Sequence, residues 1–425
     1  MKVRVNSRPI SGEVCIPPSK SYAHRILLCS AFSNAETVIE NLVLNKDIEA
    51  TMGVLVEIGA KITNLGENRY KVTPIDREKV RGKEVTLDAN ESGSTLRFLL
   101  PIISALGLNA KVDGKPGLRA RPIKLLLDVL KLHGAKIDGD ALPVNLSGEI
   151  SSGVYEIDAT QSSQNITGLL FGLSLLNAES EIIFVGKAVS LGYLDITLEV
   201  FEQFGVKIEK TEKGYKIKPQ KFITPSKISV EGDYSSAGFH IALGALCGDM
   251  VLKGLKQNSK QGDRAMIDVV QSMGGKVSFV GDDLVLKKSQ LESTNINGVD
   301  IPDLLPIISV CCAFAKGESK ITGVDRLKIK ESDRLQAIMD TLSHFGVEFR
   351  YENDTLFIKG IEERQAKDCE ICGYNDHRIV MSAVVMAIAF GGAHTVTDAN
   401  AIEKSYPAFF EDVKRIGGEE IVELF

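Results

Sequence analysis

The stretch Phe204-Gly205-Val206-Lys207-Ile208 has the pattern of a helix end followed by a strand start, and five similar stretches occur elsewhere in the chain. Each follows a segment with apolar residues at helical spacing and precedes residues that alternate as in a strand. Glycine suits the helix end because it adopts the left-handed conformation without a Cβ penalty. The leading glycines are Gly59, Gly134, Gly205, Gly274, Gly346 and Gly417, with steps of 75, 71, 69, 72 and 71 residues. Such even spacing indicates six copies of one α/β folding unit.

A second series, of polar clusters, alternates with these glycines, and unusually apolar segments such as Ile166–Leu176 and Ile379–Phe390 follow the clusters. A helix that is apolar on all sides is buried. We therefore expect each unit to contain one buried helix, one half-exposed helix and about four strands. The clusters are Ser19-Lys20-Ser21, Ser92-Gly93-Ser94-Thr95, Ser162-Ser163-Gln164, Asp233-Tyr234-Ser235-Ser236, Ile301-Pro302-Asp303 and Tyr374-Asn375-Asp376-His377-Arg378.

The length of the chain bounds its domain organisation. A chain of 425 residues suits two or three domains of ordinary size. Six units cannot share one small core, so we expect three units in each of two domains, with a crossover near Lys221–Val230. With the first strand, near Val3–Val5, assigned to the second half, the domains are 1–18 with 231–425 and 19–230.

Composition narrows the classes of partner. The net charge of −6 argues against nucleic acid, although a local basic cleft can exist in an acidic protein. The longest nearly apolar run, Ile379–Ala393, is shorter than the roughly 20 residues of a membrane-spanning helix, so we expect a buried helix and no membrane partner. The scattered cysteines suit a reducing cytoplasm. Cys369-x-x-Cys372 has metal-site spacing, but no second pair completes a site, so we expect it to be structural and expect no bound metal.

Cations accompany the polar clusters. Helix N-termini carry a partial positive charge and free N–H groups, so a cation there is unfavourable unless an anion binds nearby. For Asp233-Tyr234-Ser235-Ser236, helix capping alone is a sufficient explanation. The cations are Lys20, Arg25, Arg97, Arg121, Lys330, Arg334, Arg378 and Lys404.

Because neither a phosphate-binding nucleotide loop nor any G-x-G occurs, we expect no ATP, no NAD and no other cofactor.

Seven short motifs, in order, resemble the family of 5-enolpyruvylshikimate-3-phosphate synthases, the 3-phosphoshikimate 1-carboxyvinyltransferases. The resemblance extends from about Lys20 to Lys404. It implies a two-domain inside-out α/β barrel with the active site in the cleft between the domains, and a cytoplasmic, monomeric enzyme of the shikimate pathway. The motifs are Pro18-Ser19-Lys20-Ser21 with Arg25, Ser92-Gly93-Ser94-Thr95-Leu96-Arg97, Arg121-Pro122-Ile123, Ser162-Ser163-Gln164, Ile301-Pro302-Asp303, Lys330-Glu331-Ser332-Asp333-Arg334 and Asn375-Asp376-His377-Arg378.

The resemblance also implies residue roles. Two small-molecule partners are expected, shikimate-3-phosphate and phosphoenolpyruvate, with Tyr193 and His377 beside their sites. The implied shikimate-3-phosphate contacts are Lys20, Ser21, Arg25, Ser162, Ser163, Gln164, Ser190, Asp303 and Lys330. The implied phosphoenolpyruvate contacts are Lys20, Gly93, Arg121, Gln164, Arg334, Arg378 and Lys404.

The reaction needs a base for the attacking hydroxyl and an acid for the methylene carbon. Asp303 and Lys20 are the candidate bases, and Glu331 is the candidate acid. Taken alone, Glu331 could be a surface charge paired with Arg334 at i, i+3, and Asp303 a first-turn partner of a helix dipole. The complete motif set favours the catalytic interpretation for both.

Two positions depart from the family pattern, and two rival functions remain. Glu91 stands where many relatives have Asn, and we expect its extra carboxylate to weaken phosphoenolpyruvate binding or alter inhibitor response. Arg326 stands where some relatives have an Asn that contacts the ring. Gly93 leaves room at the place where the family binds the herbicide glyphosate. One rival is a UDP-N-acetylglucosamine enolpyruvyl transferase, whose pattern has Lys-Asn at Lys20-Ser21 and a loop cysteine that this chain lacks. The other is a non-catalytic anion-binding repeat protein, which would not need Asp303 or Glu331.

Overall fold

A computed structural model describes residues 1–362 and 368–425. The chain forms two compact units. The continuous unit is Lys20–Val230, and the split unit combines Met1–Ser19 with Glu231–Phe425. Ser19 belongs to the split unit, one residue away from the boundary expected from the sequence.

Within each compact unit, the recurring order is strand, helix, strand, helix, two strands, and three of the six repeats take one of these strands from a distant part of the chain. The split unit begins with β1 (Val3–Asn6) and β2 (Gly12–Cys15). The continuous unit contains α1 (Lys20–Ala31), β3 (Thr37–Glu40), α2 (Lys46–Ile58), β4 (Lys61–Gly66), β5 (Arg69–Thr73), α3 (Arg77–Val80), β6 (Glu84–Asp88), α4 (Gly93–Ala105), β7 (Asn109–Asp113), α5 (Pro116–Arg119), α6 (Lys124–Leu132), β8 (Lys136–Asp138), β9 (Val144–Ser147), β10 (Val154–Asp158), α7 (Ser163–Ser174), β11 (Ser180–Val185), α8 (Leu191–Gln203), β12 (Ile208–Thr211), β13 (Gly214–Ile217) and β14 (Ile228–Ser229).

The chain then completes the split unit. Short 3₁₀ turns lie at Gly262–Arg264, Asp325–Ile329, Ala399–Lys404 and Glu419–Ile421. The regular elements are α9 (Tyr234–Leu246), β15 (Met250–Lys253), α10 (Ala265–Ser272), β16 (Lys276–Val280), β17 (Asp283–Lys287), β18 (Asn295–Asn297), α11 (Leu305–Ala313), β19 (Glu318–Thr322), α12 (Arg334–His344), β20 (Phe349–Glu352), β21 (Thr355–Lys359), β22 (Glu370–Ile371), α13 (His377–Phe390), β23 (Ala393–Val396), α14 (Phe409–Gly417) and β24 (Val422–Leu424).

The described residues form six four-stranded sheets, three in each unit. Three sheets take a strand from a distant part of the chain. β14 pairs in parallel with β3, with Ile228 opposite Ile39. In the split unit, β2 pairs in parallel with β15, and β1 lies between β23 and β24 in antiparallel pairing. The N-terminal strands are therefore part of the split unit.

The most apolar helices form the interior of each unit. All residues of α13 are buried, and the strands have one buried and one exposed side, as in β7. Helices inside and sheets outside are the reverse of the usual α/β barrel arrangement. Glycine allows α7 to approach α4 closely: a Cβ at Gly168 would overlap the Arg97 carbonyl oxygen, and one at Gly172 would contact Pro101.

Five of the six predicted glycine stops have the expected left-handed backbone, with φ between 69° and 145°. The sixth prediction was wrong by one residue. α14 continues through Gly417, and Gly418, with φ of 84°, ends it by donating its N–H to the Lys414 carbonyl at 2.7 Å. Ile421 lies against the Cα of Gly417. A 3₁₀ turn precedes β24, whereas in the other five repeats a strand follows the glycine stop directly.

In the described part of the chain, no helix combines the length and the apolar character needed to cross a membrane.

Candidate active site

In the continuous unit, Gly93 begins α4 at the centre of a polar cluster. Ser92 caps the helix, since its hydroxyl accepts the Thr95 N–H at 3.2 Å. A Cβ at Gly93 would lie 2.6 Å from Nη1 of Arg121, 2.8 Å from Nη1 of Arg97 and 3.6 Å from Oε1 of Gln164. Two guanidinium groups and an amide therefore meet at the positive end of a buried helix, which is a geometry suited to an anion.

Arg97 and Gln164 fix each other in this cluster. Nη1 of Arg97 donates to Oε1 of Gln164 at 3.1 Å, and Nη2 donates to the Pro122 carbonyl at 3.1 Å. The Gln164 amide donates in turn to the Ser94 hydroxyl at 2.9 Å. These bonds connect α4, α7 and the loop before α6, so the side chains are held before any ligand arrives.

The serines expected to hold a phosphate lie at two further helix starts. Ser162 caps α7 by accepting the Gln164 N–H at 3.3 Å, and Ser163 is the buried first residue of that helix. Ser190 precedes α8, is buried and has a left-handed φ of 56°, which is unusual for a residue with a Cβ. Strained backbone of this kind is concentrated at functional sites.

Lys20 and Arg25 differ in their surroundings although both lie on α1. Lys20 forms an ion pair with Asp47 at 2.8 Å, with both side chains mostly buried. Arg25 is fully buried behind it and donates to Thr197 at 2.8 Å and to the Ser21 and Tyr193 carbonyls at 2.8 and 3.0 Å. Burial lowers the pKa of Arg25 to about 10. Arg25 thus stays charged at neutral pH and supports the backbone around Ser21.

In the split unit, Arg334 is the centre of a charge cluster. Its side chain is 1% exposed and donates to three carboxylates: Asp376 at 2.8 Å, Asp303 at 2.9 Å and Glu331 at 2.5 Å. Burial alone would lower the pKa of Arg334, but the three carboxylates outweigh it and raise that pKa above its usual value. Asp376 also caps α13 by accepting the Arg378 N–H at 2.9 Å.

Asp303, in the turn before α11, is surrounded by cations. Its carboxylate oxygens lie 3.7 Å from Nζ of Lys330, 2.9 Å from Arg334 and 3.1 Å from Arg378. Burial favours the neutral acid, but these cations outweigh it and hold the pKa of Asp303 well below its usual range. Burial in turn lowers the pKa of Lys330, partly offset by Asp303. Asp303 is therefore ionised at neutral pH and accepts hydrogen bonds.

Arg378 extends the cluster toward α9. It donates to the Asp303 carbonyl at 3.1 Å and to the Ser235 hydroxyl at 3.2 Å, and that hydroxyl donates to Asp263. The expectation that capping alone explains Asp233-Tyr234-Ser235-Ser236 was therefore wrong for one residue. Asp233 does cap α9 through the Ser235 N–H, but the Ser235 side chain contacts groups far along the chain.

Lys404 ends the 3₁₀ turn Ala399–Lys404 and donates to the Asn375 carbonyl at 2.6 Å. Asn375 and Tyr374 have left-handed φ angles of 48° and 53°, which turn the chain into the cap of α13. Lys404 therefore bonds the turn before α13, and Arg378 is the second residue of that helix. His377 is buried as the first residue of the same helix.

Comparison with known proteins assigns the family. A family model described as EPSP synthase (3-phosphoshikimate 1-carboxyvinyltransferase) matches residues 5–413. The chain belongs to the EPSP synthase family. It is 36% identical to the 3-phosphoshikimate 1-carboxyvinyltransferase of Clostridium acetobutylicum, over 98% of this chain and 97% of that protein. A protein of the same name from Clostridioides difficile is 33% identical, with the same coverage.

Solved structures agree on the fold. An EPSP synthase from Acinetobacter baumannii matches with a TM-score of 0.82, 22% identity and 99% of each chain covered. The enolpyruvyl transferase NikO from Streptomyces tendae matches with a TM-score of 0.78 and 16% identity, over 99% of this chain and 98% of that chain. The prediction of a two-domain inside-out α/β barrel of six repeated units is confirmed.

Within each unit of this EPSP synthase family member, the structure brings several of the expected residues together. Gly93, Arg121 and Gln164 meet in the continuous unit. In the split unit, Arg334 and Arg378 both bond Asp303. Four partners of the predicted residues had no binding or catalytic role assigned from the sequence: Asp47, Ser235, Asp263 and Asp376. Asp376 lay inside a quoted motif, whereas Asp263 had no signal beyond its place at the start of a helix.

The structure shows the surroundings of Arg326 and Glu91, the two residues that depart from the family pattern. Arg326 donates to the Val299 carbonyl at 2.8 Å, so its side chain supports the loop before Asp303. Glu91 lies beside the start of α5, 3.5 Å from where a Cβ of Gly117 would be. Sγ of Cys369 contacts Nδ1 of His394 at 3.2 Å, and Cys372 is exposed. The described residues contain no group of three or more side chains placed to hold a metal ion.

Proposed function

We propose that this protein transfers the carboxyvinyl group of phosphoenolpyruvate to the 5-hydroxyl of shikimate-3-phosphate and releases inorganic phosphate. The observation that carries the proposal is the cluster around Arg334 in a member of the EPSP synthase family. Two carboxylates with different roles, Asp303 and Glu331, share one buried guanidinium group beside Lys330. A protein that only binds anions needs the cations but has no use for this pair.

The first step is addition to the double bond. The 5-hydroxyl oxygen attacks C2 of phosphoenolpyruvate and loses its proton, while C3 gains a proton and becomes a methyl group. Ionised Asp303 is suited to accept the hydroxyl proton, and Lys20 is the other candidate base. We assign the proton donated to C3 to Glu331.

Glu331 must be protonated to act as the acid. In the structure, Nη2 of Arg334 donates to its carboxylate at 2.5 Å, which favours the ionised form. An anion that binds Arg334 competes for that donor and adds negative charge nearby, and both effects favour proton uptake by Glu331. In the second step the methyl group returns a proton and the C–O bond to phosphate breaks. The carboxyvinyl ether and inorganic phosphate are the products.

The binding roles follow the chemistry of the two clusters. We propose that guanidinium and ammonium groups at helix starts bind the carboxylate and the phosphate of phosphoenolpyruvate. They are Lys20, Gly93, Arg121, Gln164, Arg334, Arg378 and Lys404. For shikimate-3-phosphate we propose hydroxyls for the phosphate and charged groups for the ring. These contacts are Lys20, Ser21, Arg25, Ser162, Ser163, Gln164, Ser190, Asp303 and Lys330.

We also propose that the enzyme acts as a cytoplasmic monomer. The seven cysteines all lie in the described part of the chain and form no disulfide, which suits a reducing compartment.

Phosphate release tests the acceptor. Purified protein is mixed with phosphoenolpyruvate and either shikimate-3-phosphate or UDP-N-acetylglucosamine, and inorganic phosphate is measured over time. We expect release only with shikimate-3-phosphate. Release only with the sugar nucleotide would mean that the acceptor is wrong in the right fold. Binding of the anions with no release from either acceptor would reject the catalytic roles of Asp303 and Glu331.

A further inference from the structure

The hydroxyl of Ser235 lies between a cation and a buried carboxylate of the split unit. Nη2 of Arg378 is 3.2 Å from the Ser235 oxygen, and the same oxygen is hydrogen-bonded to Oδ2 of Asp263. A guanidinium group has only donors, and a serine hydroxyl has one proton. Ser235 must therefore accept from Arg378 and donate to Asp263. Asp263 sets the direction of the hydroxyl, so that its lone pair faces Arg378.

Arg378 is held at two of its nitrogens. Nη2 also donates to Oδ2 of Asp303 at 3.1 Å, and Nη1 donates to the Asp303 carbonyl at 3.1 Å. The side chain starts at the second residue of α13, so these bonds direct its guanidinium group toward α9 and the turn before α11. Ser235 is a neutral acceptor. It orients Arg378 without neutralising the positive charge that an anionic substrate needs.

Asp263 is an unfavourable residue to bury unless it has such a role. It is 3% exposed, in the 3₁₀ turn Gly262–Arg264. Burial raises its pKa to about 6, Asp303 and Asp233 add to the rise, and Arg378 and the Ser235 hydroxyl oppose it. An ionised carboxylate in this position costs stability. It also makes Ser235 a better acceptor, because a hydroxyl that donates to an anion is polarised toward its own oxygen.

We propose that Ser235 and Asp263 are positioning residues, which hold the Arg378 guanidinium in the orientation that binds phosphoenolpyruvate. The inference rests on the proposed function. It adds a second layer behind the anion site: Asp263 orients Ser235, and Ser235 orients Arg378. Neither residue touches substrate in this account, so the effects of their substitution appear in the KM for phosphoenolpyruvate and leave the KM for shikimate-3-phosphate unchanged.

The test is steady-state phosphate release by Ser235→Ala, Ser235→Thr, Asp263→Asn and the Ser235→Ala/Asp263→Asn double variant. A hydrogen bond to a charged group is typically lost at a cost near tenfold in binding, so Ser235→Ala should raise the KM for phosphoenolpyruvate about tenfold. Ser235→Thr keeps the hydroxyl and should restore it to within about twofold. Asp263→Asn should raise it about threefold in the wild-type background and have no further effect after Ser235→Ala, since both act through one hydroxyl.

A matched control is Asp268→Asn, which makes the same change on an exposed residue of α10 and should leave both KM values unchanged. Thermal unfolding of each variant shows whether it is folded. If Asp263→Asn folds poorly, the comparison of Ser235→Ala with Ser235→Thr still tests the inference. An unchanged KM for phosphoenolpyruvate in folded Ser235→Ala would overturn the inference. The proposed function would still stand if the wild-type protein turns over shikimate-3-phosphate. Equal effects on both KM values, or multiplied effects in the double variant, would also overturn it. A wild-type protein without turnover on shikimate-3-phosphate rejects the proposed function, and the inference falls with it.

Discussion

Replacement of Gly93 by Ala probes the anion cluster of the continuous unit with one methyl group. The φ angle of Gly93 is not in the left-handed region, and the residue is the first of α4, so Ala fits the backbone and has a higher helix propensity. The added Cβ would lie 2.6 Å from Nη1 of Arg121 and 2.8 Å from Nη1 of Arg97. Ordinary contact needs about 3.4 Å or more, so both guanidinium groups must move by several tenths of an ångström.

The movement of these guanidinium groups determines how much binding free energy for phosphoenolpyruvate is lost. Arg97 can move only by stretching its bonds to Gln164 and the Pro122 carbonyl, both at 3.1 Å. The loss of alignment at two charged donors corresponds to about 1.5–3 kcal/mol of binding free energy. We therefore expect Gly93→Ala to raise the KM for phosphoenolpyruvate about 10- to 100-fold. The KM for shikimate-3-phosphate should change less than about threefold, and the unfolding temperature should stay the same or rise slightly.

The assay is phosphate release with each substrate varied in turn, with thermal unfolding followed by circular dichroism. Glyphosate inhibition is measured in the same series, because we expect the inhibitor to use the space beside Gly93 and to lose affinity in parallel. A suitable control is Gly53→Ala, in α2, where a Cβ meets no atom within 4 Å. A stable Gly93→Ala protein with an unchanged KM for phosphoenolpyruvate would refute the assignment of this cluster to that substrate.

Three further predictions concern the split unit. Glu331→Gln should lower kcat at least about 100-fold and keep the KM for phosphoenolpyruvate within about threefold of the wild-type value. The Gln amide oxygen still accepts a hydrogen bond from Arg334, but the amide cannot supply the proton. Normal turnover would exclude Glu331 as the acid. The raised pKa of Asp263 means that the folded protein binds more protons than the unfolded chain between about pH 4 and 6, so stability falls as pH rises through that window. Asp263→Asn should therefore stabilise the protein by about 2 kcal/mol more at about pH 8 than at about pH 4 in denaturant titrations, and a pH-independent gain would contradict this. Tyr406→Phe removes a buried hydroxyl that lies 2.9 Å from Nε2 of His240 and donates to Asp412 at 2.6 Å. It should cost about 1–3 kcal/mol of stability in denaturant titrations, and an unchanged free energy of unfolding would contradict this.

The features that the sequence predicted well are those set by local physics. A glycine after an amphipathic helix determines where that helix ends, and five of the six stops form as expected. At the sixth, α14 continues through Gly417 and ends at Gly418, and Ile421 lies against Gly417. The apolar helices were likewise predictable, because a helix without a polar face must be buried.

Contacts between distant residues were not predictable in the same way. Arg334 bonds Asp376, which lies 42 positions along the chain, and Ser235 bonds Arg378 at a separation of 143. A pattern at one position shows that Ser235 can cap a helix, but the fold decides that its hydroxyl lies between Asp263 and Arg378. The family resemblance supplied the roles of the charged residues, and the structure supplied their partners.

The most direct test of the account is to identify the products by nuclear magnetic resonance. Equimolar phosphoenolpyruvate and shikimate-3-phosphate are incubated with the enzyme, and the vinyl protons and phosphorus signals are followed together. The account predicts one inorganic phosphate for each new carboxyvinyl ether on the shikimate ring, with no pyruvate. Pyruvate with a newly phosphorylated acceptor would show phosphoryl transfer in place of carboxyvinyl transfer, and would contradict the central claim.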